Sequence, residues 1–75
     1  MNAQARDRIA GEITRRMSDA NKWQLTSTPE EVAAVHYLSG AEMVLLWAGI
    51  SYQTHSRNGL YASLTLDGVT YPVTT

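Results

Sequence analysis

Polar and apolar residues alternate almost without interruption from Ile50 to Thr75, in three runs reading ISYQTHS, LYASLTL and VTYPVTT. Asn58-Gly59 and Asp67-Gly68 punctuate them. Such dipeptides accept the positive φ that tight two-residue hairpins demand, so the pattern predicts a three-stranded antiparallel meander. The alternation keeps one phase. Ile50, Tyr52, Leu60, Ala62, Leu64, Leu66, Val69, Tyr71 and Val73 are expected on one face, and Tyr61, Ser63, Thr65, Thr70 and Thr74 on the other. Pro72 lacks an N–H and marks the last strand as an edge. A sheet with one apolar face needs a cover, which only the first half of the chain can supply.

That half changes to a helical period. Ile9, Ile13 and Met17 recur every fourth residue with Ala5, Ala10 and Ala20 beside them, predicting an amphipathic helix over 3–20. Arg8 and Glu12, Glu12 and Arg16, and Arg15 and Asp19 are spaced to pair on its surface, and Asn21 suits its end. Residues 22–27 form a connector under which Trp23 and Leu25 are expected to pack. Thr28-Pro29-Glu30-Glu31 then reads as a start signal: a cap, a first-turn proline and a capping-box glutamate. The helix it opens is expected to reach Leu38 with Val32 and Val35 inward. Ser39-Gly40-Ala41-Glu42 repeats the Ser-x-x-Glu signature, so a break and a third helix over about 40–48 are expected, ended by Gly49. Residues 43–55 also fit one bulged strand, since Val, Leu and Trp serve either state; length and flanking caps favour helix. The fold class is therefore α+β in one domain over 1–75: two or three N-terminal helices packed on one face of a C-terminal three-stranded antiparallel β-meander.

Composition bounds the functional classes. With 75 residues and no cysteine, neither disulfides nor thiolate metal sites can supplement a small core, and association with a partner is a natural source of further stability. The net charge of −1 is too balanced for a generic nucleic-acid or membrane binder. Its distribution is less even: residues 1–22 carry five cations against three carboxylates, and residues 23–75 carry Arg57 alone against four. The longest apolar stretch, Met43 to Ile50, is far short of the ~20 residues of a membrane span, and no apolar signal region follows Met1. A cytoplasmic location without membrane partners is expected.

No motif carries a specific chemistry. His36 and His55 are the only side chains titrating near neutrality, and neither falls at good spacing to a carboxylate. Ser56, His55 and Asp67 have the residue types of a hydrolytic triad, but a hairpin tip offers no enclosed pocket for one. Two histidines and scattered carboxylates lack metal-site spacing, and the five glycines are too dispersed for a phosphate loop. Neither metal nor cofactor is expected, and no enzymatic activity.

Binding surfaces are the remaining candidates. The segment Met43–Ala48 is apolar nearly all round, so one side can cover the sheet while Met43, Leu46, Trp47 and Ile50 meet a second surface. Tyr61 on the outward sheet face is a further contact candidate, tyrosine being enriched at interfaces. Helices followed by a hairpin resemble, in element order, winged helix-turn-helix DNA-binding domains, whose third helix displays polar and basic side chains to the major groove. Here that position reads SGAEMVLLWAG, and the hairpin carries only Arg57. Nucleic acid would instead meet Arg8, Arg15 and Arg16 of the first helix, where the interspersed acids favour a solvated salt-bridged face. The leading expectation is a small non-enzymatic interaction module, an adaptor or an inhibitor acting by occlusion, with a homodimer through helices as one arrangement. Domains of this kind are common among phage and mobile-element proteins.

Overall fold

The structure, a computed structural model describing residues 1–74, contains two helices followed by three strands: α1 (Ala3–Lys22), α2 (Pro29–Trp47), β1 (Tyr52–Arg57), β2 (Leu60–Leu66) and β3 (Val69–Pro72). Thr75, the end of the third alternating run, lies outside the described residues. The sheet is an antiparallel meander in the order β1-β2-β3. Both turns have the predicted chemistry. Asn58 and Gly59 have φ of 55° and 81°, and Asp67 and Gly68 have 52° and 83°, the paired positive angles of type I′ hairpins.

One irregularity resets the face pattern. His55 lies opposite Ser63 but Ser56 lies opposite Tyr61, so β2 holds an extra residue, Ala62, at a bulge. An inserted residue reverses the phase beyond it. Tyr61, expected outward, packs half-buried against the core, while Leu60, expected inward, is 38% exposed. Asn21 holds the bulge in place. Its Nδ2 donates to the Tyr61 carbonyl at 2.9 Å, and its Oδ1 accepts from the Tyr61 N–H at 2.8 Å. Asn21 thus substitutes for a neighbouring strand rather than ending the helix, and α1 continues to Lys22.

α1 is the spine of the molecule. Asn2 caps it, its Oδ1 accepting from the Ala5 N–H at 2.7 Å. The predicted stripe is buried at Ala10, Ile13, Met17 and Ala20, with Ile9 at its margin. This stripe lies across β2 and β3, where Leu64 and Leu66 are fully buried. The Tyr71 hydroxyl fastens β3 to the first turns of α1, accepting from Arg6 Nε at 2.7 Å and donating to Asp7 Oδ1 at 2.5 Å. Burial and the bond to Asp7 push the Tyr71 phenol above its ordinary range, against the opposing pull of Arg6.

α2 is one continuous helix, without the break expected at Ser39-Gly40. Its inward positions are Ala34, Leu38, Ala41 and Leu45, spaced to form a single stripe along α1. Leu38 and Leu45 flank the predicted break, and only an unbroken helix places both on α1; against that burial, Gly40 costs about 1 kcal/mol. Val32 and Val35, expected inward, are 50% and 47% exposed because the register of this stripe turns them away. The helix ends in a Schellman motif at Gly49, whose φ is 76°. The Ile50 N–H donates to the Leu45 carbonyl at 2.9 Å and the Gly49 N–H to the Leu46 carbonyl at 3.0 Å. Residues 43–47 are therefore helix, not strand.

The helix–helix connector is held from α2. Thr28 caps as predicted, its Oγ1 accepting from the Glu31 N–H at 3.3 Å. Glu31 does not close the box on Thr28. Its carboxylate reaches further back, accepting from the Ser27 N–H at 3.0 Å and from the Leu25 N–H. Both residues have positive φ, 55° and 61°, and this carboxylate holds them there. Leu25, expected to pack under the connector, is 89% exposed. Trp23 is half-buried with Lys22 Nζ 5.2 Å from its ring centroid.

Candidate functional site

Hydropathy and burial are inverted between the two helices. α1 carries five of the six lysines and arginines together with three carboxylates, yet it supplies four of the nine buried core residues. α2 is apolar around most of its circumference and contains no lysine or arginine, yet it buries only Ala34, Leu38 and Leu45. The cause is geometric: α1 occupies the apolar face of β2 and β3, leaving α2 to pack on α1 and to touch the sheet only beside β1. Every residue of β1 after Tyr52 is exposed as a result. The molecular surface is 4949 Å², where a globular chain of this mass is expected to show about 4,600 Å².

The outward face of α2 is a second apolar stripe. Val32, Val35, Ser39, Met43 and Leu46 follow one another at spacings of three and four, with His36, Gly40 and Trp47 along one margin. Val32, Met43 and Leu46 are each about half exposed, and Trp47 is 77% exposed. None of these eight residues carries a fixed charge, whereas solvent-facing helix surfaces are normally charged. With Val35, the four expose on the order of 600 Å², at the upper end of the largest apolar patches on ordinary monomers. The predicted contact residues Met43, Leu46 and Trp47 therefore lie together on one exposed surface. Val32 and Val35 belong to it and were not foreseen. The signal was present as the second three-four spacing, masked because both were assigned to the core.

Tyr61 meets this surface only at its edge, through Val35. Both line a cavity of about 280 Å³ between the hairpin and the helix–helix connector, with Asn21, Gln24, Glu31 and Ser56 among its walls. Three polar side chains of this cavity are committed to structure: Asn21 to Tyr61, Gln24 to the Gly59 carbonyl at 3.0 Å, and Glu31 to the connector. A shallower apolar groove of about 370 Å³ runs between the helices, lined by Arg8, Ile9, Tyr37 and Val44. Near β1, burial pushes the Tyr52 phenol up to about 12, with Glu42 and Tyr61 adding to the shift.

The three arginines do not form one basic patch. Arg15 Nη2 pairs with Glu12 Oε2 at 2.8 Å, at a spacing of three in place of the spacing of four expected for either residue. Arg16 lies over the Tyr37 ring at 4.7 Å from its centroid, with its Nε buried and unpaired among the described residues. It bridges the two helices. Arg8 borders the interhelical groove.

Ser56, His55 and Asp67 are not brought together. His55 is on the outer sheet face, its Nε2 3.0 Å from Thr65 Oγ1, which continues to Thr70 Oγ1 at 2.9 Å. Ser56 faces the cavity on the opposite side, and Asp67 occupies the hairpin at the other end of β2. No group of three or more histidines, aspartates or glutamates is placed to hold a metal ion among the described residues. No described helix is long and apolar enough to cross a membrane. No protein-family model matches the sequence, and comparisons with curated proteins and with solved structures gave no significant match.

Proposed function

We propose that the chain is a non-enzymatic protein-interaction module, an adaptor or an occluding inhibitor, that associates through the outward face of α2. The observation that supports this reading is the inversion of burial: the apolar helix is the exposed one. An uncharged stripe about 24 Å long, from Val32 to Trp47 on this helix, matches a helix-in-groove or helix-on-helix contact. Its composition, with Trp, Met and aliphatic residues and without lysine or glutamate, is that of an interface centre.

The test is capture of protein partners from native lysate, with and without nuclease, by wild-type chain and by Trp47→Ala and Met43→Glu variants. Both substituted side chains lie outside the nine-residue core, so circular dichroism should show an unchanged fold. Expected is loss of the captured protein with either variant, on the order of thirtyfold in affinity for a central contact residue. Undiminished capture by both variants would remove α2 as the binding surface. Capture that disappears with nuclease would transfer the function to the arginines of α1.

A further inference from the structure

We infer that the outward face of α2 pairs with the same face of a second copy of this chain, the two helices running antiparallel about a twofold axis at Ser39. This rests on the reading of that face as a protein-contact surface and names its occupant.

The stripe is symmetric about Ser39. Val35 and Met43 lie four residues to either side of it, and Val32 and Leu46 lie seven to either side. A twofold contact is isologous: if residue i meets residue j of the partner, j must meet i. Antiparallel pairing centred on Ser39 satisfies this with aliphatic contacts at every level, Val35 against the second copy's Met43 and Val32 against its Leu46. Trp47, at the margin, reaches over the second copy's Val32. The centre is small. Ser39 is exposed, and a Cβ at Gly40 would meet nothing within 4 Å, so the two backbones can approach closely at the axis.

Charge and area point to the same occupant. A face without fixed charge meets no repulsion from its own copy, while a foreign partner would ordinarily be selected by complementary charges, which this stripe lacks. The five large apolar side chains expose on the order of 600 Å², with His36, Ser39 and Gly40 exposed beside them, which is most of the ~800 Å² that each side of a standard interface buries. Antiparallel alignment also opposes the two helix dipoles, each positive end lying beside the other's negative end.

The absence of cysteine gives a direct test. Ser39→Cys places two thiols at the proposed axis, and Gln53→Cys on the exposed β1 serves as control. The mass of the purified chain is measured across concentration by light scattering and sedimentation, and the cysteine variants are oxidised mildly at low concentration. Expected are a mass of two chains, rapid disulfide formation with Ser39→Cys, little with Gln53→Cys, and about thirtyfold weaker dimerisation on adding Met43→Glu. A monomer at every concentration overturns the inference, as does a dimer in which Ser39→Cys cross-links no faster than the control. If the chain is monomeric but Met43→Glu still abolishes capture of a foreign protein, only the choice of occupant has failed. If capture is also unaffected, the interaction face itself has failed.

Discussion

Replacing Asn21 by alanine tests the structural detail that most changed the reading of the sheet. The side chain makes two hydrogen bonds to the backbone of Tyr61, at 2.8 and 2.9 Å, in a partly buried position. Alanine leaves a donor and an acceptor without partners; each such loss costs about 1–3 kcal/mol, and partial access of water places both near the lower end. Alanine returns about 0.6 kcal/mol as the better helix former. The expected net loss is about 2 kcal/mol, out of roughly 4–11 kcal/mol for a domain of 75 residues. In thermal melts this corresponds to a fall of about 8–16 °C. Urea titration followed by circular dichroism should show a lower midpoint with unchanged slope. Asn21→Asp sharpens the result. Its carboxylate keeps the bond from the Tyr61 N–H but opposes the Tyr61 carbonyl, so it should destabilise at neutral pH and recover in part when protonated. An alanine variant within about 0.5 kcal/mol of wild type would show that Asn21 does not hold the bulge, since that is the ordinary effect of a surface substitution.

Two further outcomes follow from the same geometry. Tyr52, with its folded-state pKa pushed up to about 12 against an ordinary value of about 10, favours the folded state while its phenol is protonated. That contribution is complete below pH 10 and is lost as pH rises from about 10 to about 12; alkaline titration of Tyr52→Phe should lack this component, and an identical profile would refute the assignment. Leu25, 89% exposed at a φ of 61°, buries almost nothing and occupies a conformation disfavoured for side-chain-bearing residues. Leu25→Gly should therefore stabilise by about 0.5–1 kcal/mol after the added unfolded-chain entropy, and a lower melting temperature would show that the connector is unstrained.

The sequence carried the sheet well because its signals are local. Asn-Gly and Asp-Gly specify their turns within two residues, and α1 declares its buried stripe through spacing alone. The errors have one physical origin: they depend on which elements meet. The bulge at Ala62 reverses Tyr61 and Leu60, yet it is held by Asn21, forty residues away. Ser39-Gly40 has the local chemistry of a helix boundary, and the burial of Leu38 and Leu45 on α1 overrides it. Val32 and Val35 look like core because apolar residues usually are. Their exposure could be read only after α1 was known to have taken the sheet. Of the candidate surface, Met43, Leu46 and Trp47 were legible through the lack of any polar side on their segment. The symmetry of the stripe became visible once the helix was seen to be continuous.

The central position of α1 also sets how the fold comes apart. Sheet and α2 are joined mainly through α1, and α2 touches the sheet only at β1. Elements with few buried contacts open at the lowest free-energy cost and are the first reached by proteases. α2 buries Ala34, Leu38 and Leu45 and bears the proposed contact surface on its other side. Whatever covers α2 closes its opening route and stabilises the chain by mass action. In the proposed assembly occupancy and lifetime are coupled: an uncovered α2 leaves the chain open to proteolytic turnover, and a covered one protects it.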